Sequence, residues 1–217
     1  MLIRQEVFQS SIPKRPFWLP AWPPSIEWLV LYALLLALII GFGSALWMLR
    51  TPYPFGKEHN GPWVYWPEIG SSDIDPYAMA IVTQKARLPL GVNEGLELLA
   101  TTDSTGRALY ASCHYTLGNS ISQARYWTIT VYGTGTPAFH NVNAARANFT
   151  SSEIVRNEQG AFTINLSRDA ASGNWIKLPK SGKFFIVLRL YDLPTTEDRV
   201  GLGQYRLPEI TLQGCSS

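Results

Sequence analysis

The sequence predicts a mainly β protein: an antiparallel β-sandwich or jelly-roll domain with one peripheral helix, preceded by a single N-terminal transmembrane helix. Three observations carry this. Residues 28–49, WLVLYALLLALIIGFGSALWML, form a run of 22 residues without a charge. Downstream, several stretches alternate apolar and polar residues with the period of a strand. Turn signals rich in Gly, Asp and Ser separate those stretches at short spacing, the habit of an all-β sandwich.

Four segments follow in order. Residues 1–27 are a proline- and aromatic-rich arm, with Pro13, Pro16, Pro20, Pro23 and Pro24 interleaved by Phe17, Trp18 and Trp22. That proline density favours an extended polyproline-type run, whose aromatics suit either the membrane interface or a docking peptide. Residues 28–49 at 1.5 Å per residue span about 33 Å, enough to cross a ~30 Å hydrocarbon core. In lipid only a helix satisfies such a segment's own backbone. Ser25 after Pro23-Pro24 suits the start, Thr51-Pro52-Tyr53-Pro54 the stop, and Trp28, Tyr32 and Trp47 fall near the ends, where rings prefer the headgroups. The run is longer than a signal-peptide core, and Ala45-Leu46-Trp47-Met48 lacks a small-x-small exit, so it reads as an uncleaved anchor. Arg4, Lys14 and Arg15 before it against Arg50 and Lys57 after it place the N-terminus inside. Ala33, Ala37, Gly41 and Ala45 recur every four residues, either a helix-pairing stripe for a homodimer or the ordinary composition of membrane helices.

Residues 50–72 read as a linker and 73–214 as the sandwich domain. Asp75-Pro76-Tyr77 opens a helical pattern through Ala78, Ile81, Val82 and Lys85, broken by Leu88-Pro89-Leu90-Gly91. GLELLATT (95–102) and ALYASCHYTL (108–117), joined by a turn at 103–106, read as a hairpin. Strands are also expected at 125–132, at 161–167, at 184–191 and around Ile210 and Leu212.

Charged residues make up 16% of the chain and the net charge is +2, without a basic run, which speaks against a nucleic-acid binder. The two cysteines, Cys113 and Cys215, allow one disulfide; the alternative is a buried thiol and a free one in the tail. His59, His114 and His140 lack metal-ligand spacing, and no nucleophile elbow or phosphate loop occurs, so no cofactor or metal is expected. Cys113 and His114, neighbours on one strand, point to opposite faces and make no catalytic pair. Asn148-Phe149-Thr150 and Asn165-Leu166-Ser167 would be glycosylated only on a eukaryotic secretory route.

Three polar residues stand out: Arg189 in an apolar setting among Phe185, Val187 and Tyr191, Arg125 at the rim of the face of Trp127, and Asn174, between Gly173 and Trp175, which reads as a turn residue able to bridge strands by its amide. A guanidinium in such a setting needs a partner, and Asp75, Asp103, Glu94 and Glu97 are the candidates. These residues either brace the sandwich or floor a pocket for an anionic or sugar ligand, with Trp127, Trp175, Tyr115 and Tyr191 as stacking faces.

The blocks DPYAMAIVTQKARLPL, ATTDSTGRALYASCHYTL, ARYWTITVY and GNWIKLPKSGKFFIVLRLY, in this order over residues 73–195, resemble the family called domain of unknown function 1214. Ile176-Lys177-Leu178 departs from that family's pattern by delaying the proline to Pro179. The resemblance implies a jelly-roll β-sandwich in a bacterial envelope protein with one membrane helix, and as partner a companion protein of the unknown-function 1254 type. With the anchor, it implies a single-pass inner-membrane protein whose periplasmic domain has a binding or accessory role. The alternative is an enzyme acting on envelope glycan or lipid through an arginine/carboxylate pocket.

Overall fold

The computed structural model describes residues 25–50, 56–84, 90–91, 94–119, 121, 124–134, 146–193 and 206–215. The proline-rich arm and His140 lie outside them. The chain divides into two compact units, one up to Arg50 and one from Thr51.

The first unit holds α1 (Ile26–Arg50), a helix long and apolar enough to cross a membrane. The carbonyl of Ser25 accepts the N–H groups of Trp28 and Leu29. Glu27 in the first turn and Arg50 in the last complement the helix dipole. The rings of Trp28 and Tyr32 lie one turn apart, 6.5 Å between centroids.

The second unit contains β1 (Glu58–Asn60), β2 (Trp63–Tyr65), α2 (Pro76–Gln84), β3 (Gly95–Ala100), β4 (Cys113–Asn119), β5 (Tyr126–Gly133), β6 (Asn148–Thr150), β7 (Phe162–Ser167), β8 (Asn174–Lys177), β9 (Phe184–Tyr191) and β10 (Glu209–Cys215). They form a six-stranded sheet in the order β1-β2-β3-β9-β5-β6 and a four-stranded sheet in the order β10-β4-β7-β8. Neither sheet closes on itself among the described residues. The fold is a β-sandwich, as the alternation predicts.

Alternation decides what lies between the sheets. Trp127, Ile129 and Val131 of β5 and Ile186, Leu188 and Leu190 of β9 face Tyr115 and Leu117 of β4, Ile164 and Leu166 of β7, and Ile176 of β8, all in one buried core. Aromatic rings cross the gap: Trp127 stacks on Phe162 with centroids 4.9 Å apart, and Tyr115 meets Phe184 edge-on at 5.7 Å. Trp63 of β2 is fully buried and donates its indole N–H to the Pro208 carbonyl at 2.8 Å, tying the first sheet to the chain leading into β10.

Four expectations are corrected. The stretch read as a linker (50–72) contains the hairpin β1–β2, which extends the large sheet and supplies Trp63 to the core. The turn at Asp103–Gly106 does not close a β3–β4 hairpin. It forms a single bridge, Thr102 to Ala108, after which the chain crosses to the other sheet. β3 therefore pairs with β2 and β9, and β4 with β10 and β7. The small sheet is mixed rather than antiparallel, because β8 runs parallel to β7. Parallel neighbours usually need a long crossover, but Asn174 pairs with Ile164, so the return from Ser167 covers only about 10 Å. Gly173, at φ 77°, makes the last bend of that return in a conformation that glycine adopts without strain. Finally, Asn174, read as a turn residue, opens strand β8.

Candidate functional site

The two outward faces differ. That of the small sheet is mostly polar around Trp175, with His114 and Thr116 on β4, Thr163 and Asn165 on β7, and Lys177 on β8, whereas that of the large sheet is aromatic around one ion pair. On β9, Phe185, Val187, Arg189 and Tyr191 alternate with the core residues and so point away from them. The antiparallel register sets Tyr132, Thr130, Thr128 and Tyr126 of β5 opposite them on one side, and Leu99, Glu97 and Gly95 of β3 opposite the last three on the other.

Arg189 and Glu97 are thus cross-strand neighbours, and the guanidinium Nε lies 2.9 Å from Glu97 Oε2. Burial alone would lower the Arg189 pKa, but the adjacent Glu97 carboxylate outweighs it and raises the value, so the cation is fixed. Val187, only 3% exposed, lies next to Arg189 on this face. Two aromatic pairs flank them: Tyr126 with Tyr191 at 5.7 Å, and Tyr132 stacked on Phe185 at 5.4 Å. Gly95, opposite Tyr191, sits so close to β9 that a Cβ would run into the Leu190 carbonyl oxygen.

Arg125 immediately precedes β5, and its Nη1 lies 3.0 Å from Asp192 Oδ2. Both side chains are open to water, 83% and 65% exposed, so the pair contributes little to stability. Of the four carboxylates considered as partners for the arginines, only Glu97 takes one. Asp75 caps α2 by accepting the N–H groups of Tyr77 and Ala78. Glu94 accepts the N–H of Gly91. Asp103, 1% exposed, accepts the N–H groups of Thr105 and Arg107, the Thr105 hydroxyl and the Arg107 guanidinium. Burial pushes Asp103 up, but these four donors together outweigh it and hold the carboxyl below its usual range.

The aromatic residues of the expected pocket do not come together. Trp127 and Tyr115 are core residues, and the Tyr115 hydroxyl accepts the N–H of Tyr110. Trp175 projects from the small sheet and donates its indole N–H to Ser167, whose hydroxyl Oγ lies 2.9 Å away. Tyr191 alone lies on the face of Arg189. Asn174 is buried and grips the loop before β7: its Oδ1 accepts the N–H of Val155, and its Nδ2 donates to the carbonyls of Val155 and Thr163. It is a brace. Tyr126, Tyr132, Phe185, Glu97 and Asp192 complete the outward face and its rim. Strand register brings them together, since Arg125 and Asp192 both flank the Tyr126–Tyr191 pair, and no sequence signal marks it.

Cys113 and Cys215 are paired residues of β4 and β10 and are joined by a disulfide across 102 positions. Ala33, Ala37, Gly41 and Ala45 all lie on α1, where a Cβ at Gly41 would meet nothing within 4 Å. Among the described residues no group of His, Cys, Asp and Glu is arranged to hold a metal. A cleft lined by Gly56, Trp66, Ile69, Ile74, Asp75 and Ala78 has room for about one water molecule. Chemically, the outward face offers ring faces, hydroxyls and a paired charge.

Comparison with one solved structure agrees with the fold. The VPA0106 protein from Vibrio parahaemolyticus matches 64% of this chain at 22% identity with a TM-score of 0.50. This chain covers 36% of that protein, about a third of its length. An uncharacterized protein from Burkholderia cenocepacia matches 56% of this chain at 12% identity and a TM-score of 0.36, over 29% of its own chain. None of the curated proteins matches the sequence. The family model for the protein of unknown function DUF1214 matches residues 94–195, from the turn before β3 to just beyond β9. Three of the four sequence blocks fall inside that range, over which this chain is similar to the DUF1214 family.

Proposed function

We propose that this chain is a single-pass inner-membrane protein that carries its β-sandwich on the periplasmic side, in a binding or accessory role at the bacterial envelope. The carrying observation is the Cys113–Cys215 disulfide in a domain that follows one apolar helix. Disulfides persist in oxidising compartments, and the basic residues before α1 favour the opposite, cytoplasmic side for the arm. The binding role is supported by the outward face of the large sheet, where Tyr126, Tyr191, Tyr132 and Phe185 offer contact area beside polar groups. An enzyme of envelope glycan or lipid is less well supported, because Arg189, Arg125 and Asp103 are each engaged by a neighbour. The partners we assign are a companion protein of the unknown-function 1254 type and, through Ala33, Ala37, Gly41 and Ala45, a second copy of α1.

The test is made in cells that express the full chain. External protease added to spheroplasts should digest the domain, and both cysteines should resist alkylation in denaturant until a reductant is added. A protected domain with free thiols would overturn the topology. Crosslinking in native membranes, followed by mass spectrometry, should recover the companion protein; recovery of neither partner would overturn the assignment.

A further inference from the structure

β10 is held to the rest of the domain in two different ways along its length. Its first half is held by packing and hydrogen bonds. Ile210 is fully buried; its N–H donates to the Ser104 hydroxyl and its carbonyl accepts the Ser104 N–H, both at 2.9 Å. Just before it, the Pro208 carbonyl accepts the Trp63 indole N–H. A register shift between Leu212 and Gly214 separates that half from the last residues. There Gln213 makes one exposed bond, to the Thr116 hydroxyl, and a Cβ on Gly214 would meet nothing within 4 Å. The Cys113–Cys215 bond closes this loosely held end onto β4.

The two sulfurs of that bond are not equivalent. Cys113 is 7% exposed and belongs to the core, whereas Cys215 is exposed on the outer strand of the small sheet. An attacking thiolate must reach a disulfide sulfur from solvent, so Cys215 Sγ takes the attack and Cys113 leaves. The Ser112 hydroxyl lies 3.9 Å from Cys113 Sγ, placed to donate to the departing thiolate.

We propose that the Cys113–Cys215 bond is a thiol-exchange site on the folded domain, opened by a protein dithiol of the Cys-x-x-Cys class. One thiolate of the dithiol bonds to Cys215 Sγ as the S–S bond breaks, and Cys113 takes the electron pair and then a proton. The second thiol, as its thiolate, attacks the first sulfur in the mixed disulfide, and Cys215 leaves as the other thiol. Two electrons pass to the bond, and the dithiol ends as a disulfide. A monothiol serves poorly. Strand register holds Cys113 opposite Cys215, at high effective concentration, so Cys113 expels the monothiol and restores the bond. The change stays local because Ile210, Pro208 and Ser104 keep the first half of β10 in place, and a domain of this size buries a sufficient core without a cross-link. What it releases is the end of β10 from the edge of β4 at Cys113 and His114.

The test uses the oxidised full chain in detergent micelles. A thioredoxin whose resolving cysteine is replaced by serine should form a mixed disulfide under native conditions, and peptide mapping should find it on Cys215 with Cys113 free. Attachment to Cys113, or attachment only after denaturant is added, would overturn the proposal. Intact thioredoxin with its reductase should free both thiols while amide exchange at Leu117 and Ile164 stays slow. Loss of that protection would mean that opening the bond unfolds the domain, and the proposal would fall. Reduced glutathione at the same thiol concentration should open several-fold fewer bonds; equal opening would overturn the dithiol assignment.

Discussion

The amide of Asn174 holds Val155 from both sides, accepting its N–H at 2.9 Å and donating to its carbonyl at 2.8 Å, nineteen residues away along the chain. A third bond, to the Thr163 carbonyl, ties the same side chain to β7. Asn174→Ala leaves three backbone groups without this partner in a buried place, at a cost of about 1–3 kcal/mol. Urea unfolding should show that loss, and amide exchange at Val155 should quicken more than at Leu188 in the core. Unchanged exchange at Val155 would show that the clamp does not hold the loop.

Asp103 ties acid sensitivity to one turn. Its pKa is depressed in the folded state, so its contribution to stability is complete above the unfolded carboxylate value and is lost as pH falls through the folded one. Wild-type stability should therefore decline below about pH 4 partly on its account. Asp103→Asn should lower stability at neutral pH by about 1–3 kcal/mol. The gap between the two proteins in urea unfolding should narrow from pH 7 to pH 3, and a gap that stayed constant would assign the loss to shape rather than charge.

Arg189 and Glu97 allow a brace to be told from a binding site. Arg189→Met strips Glu97 of its guanidinium in a half-buried place and should cost about 1.5–3 kcal/mol. Pairing it with Glu97→Leu should recover most of that, because both charges then leave together. If the single variant unfolds at the wild-type urea midpoint while cellular function is lost, the arginine serves a ligand and the brace reading fails.

Gly95 sits where β3 approaches β9 closely. Gly95→Ala drives a Cβ into the Leu190 carbonyl oxygen, and such overpacking typically costs about 1–3 kcal/mol. The stiffer unfolded chain returns only about 0.4–1 kcal/mol, so the net effect is destabilising. Gly118→Ala is the control: its nearest neighbours, the Phe162 carbonyl and Thr163 hydroxyl oxygens, stand 3.6 Å from the added Cβ, and the thermal midpoint should barely move.

How much of this was legible in the residues depends on length and locality. β5, β7 and β9 are long enough for alternation to repeat, and each appears where its pattern lies, whereas β4 begins only at Cys113, midway through the expected stretch 108–117. β1, β2 and β6 have three residues each and β8 four, too few to establish a period. A turn signal at Asp103 reports that the chain bends; it does not report which sheet the next strand joins. The site was partly legible for the same reason. Arg189 was conspicuous as a charge in an apolar run, but its choice of Glu97 and Arg125's choice of Asp192 follow from strand register, which one sequence does not contain.

The Cys113–Cys215 bond turns everything between β4 and β10 into a closed covalent ring of about a hundred residues. A single backbone cut within that ring, for example in the connection that follows β9, would open the circle without releasing a fragment. In such a nicked molecule the two new ends remain on one body. A processive protease that pulls substrates through a narrow pore would meet two strands abreast at the ring and would have to admit both or stall. Reduction, rather than cleavage, is then the step that commits the domain to disassembly.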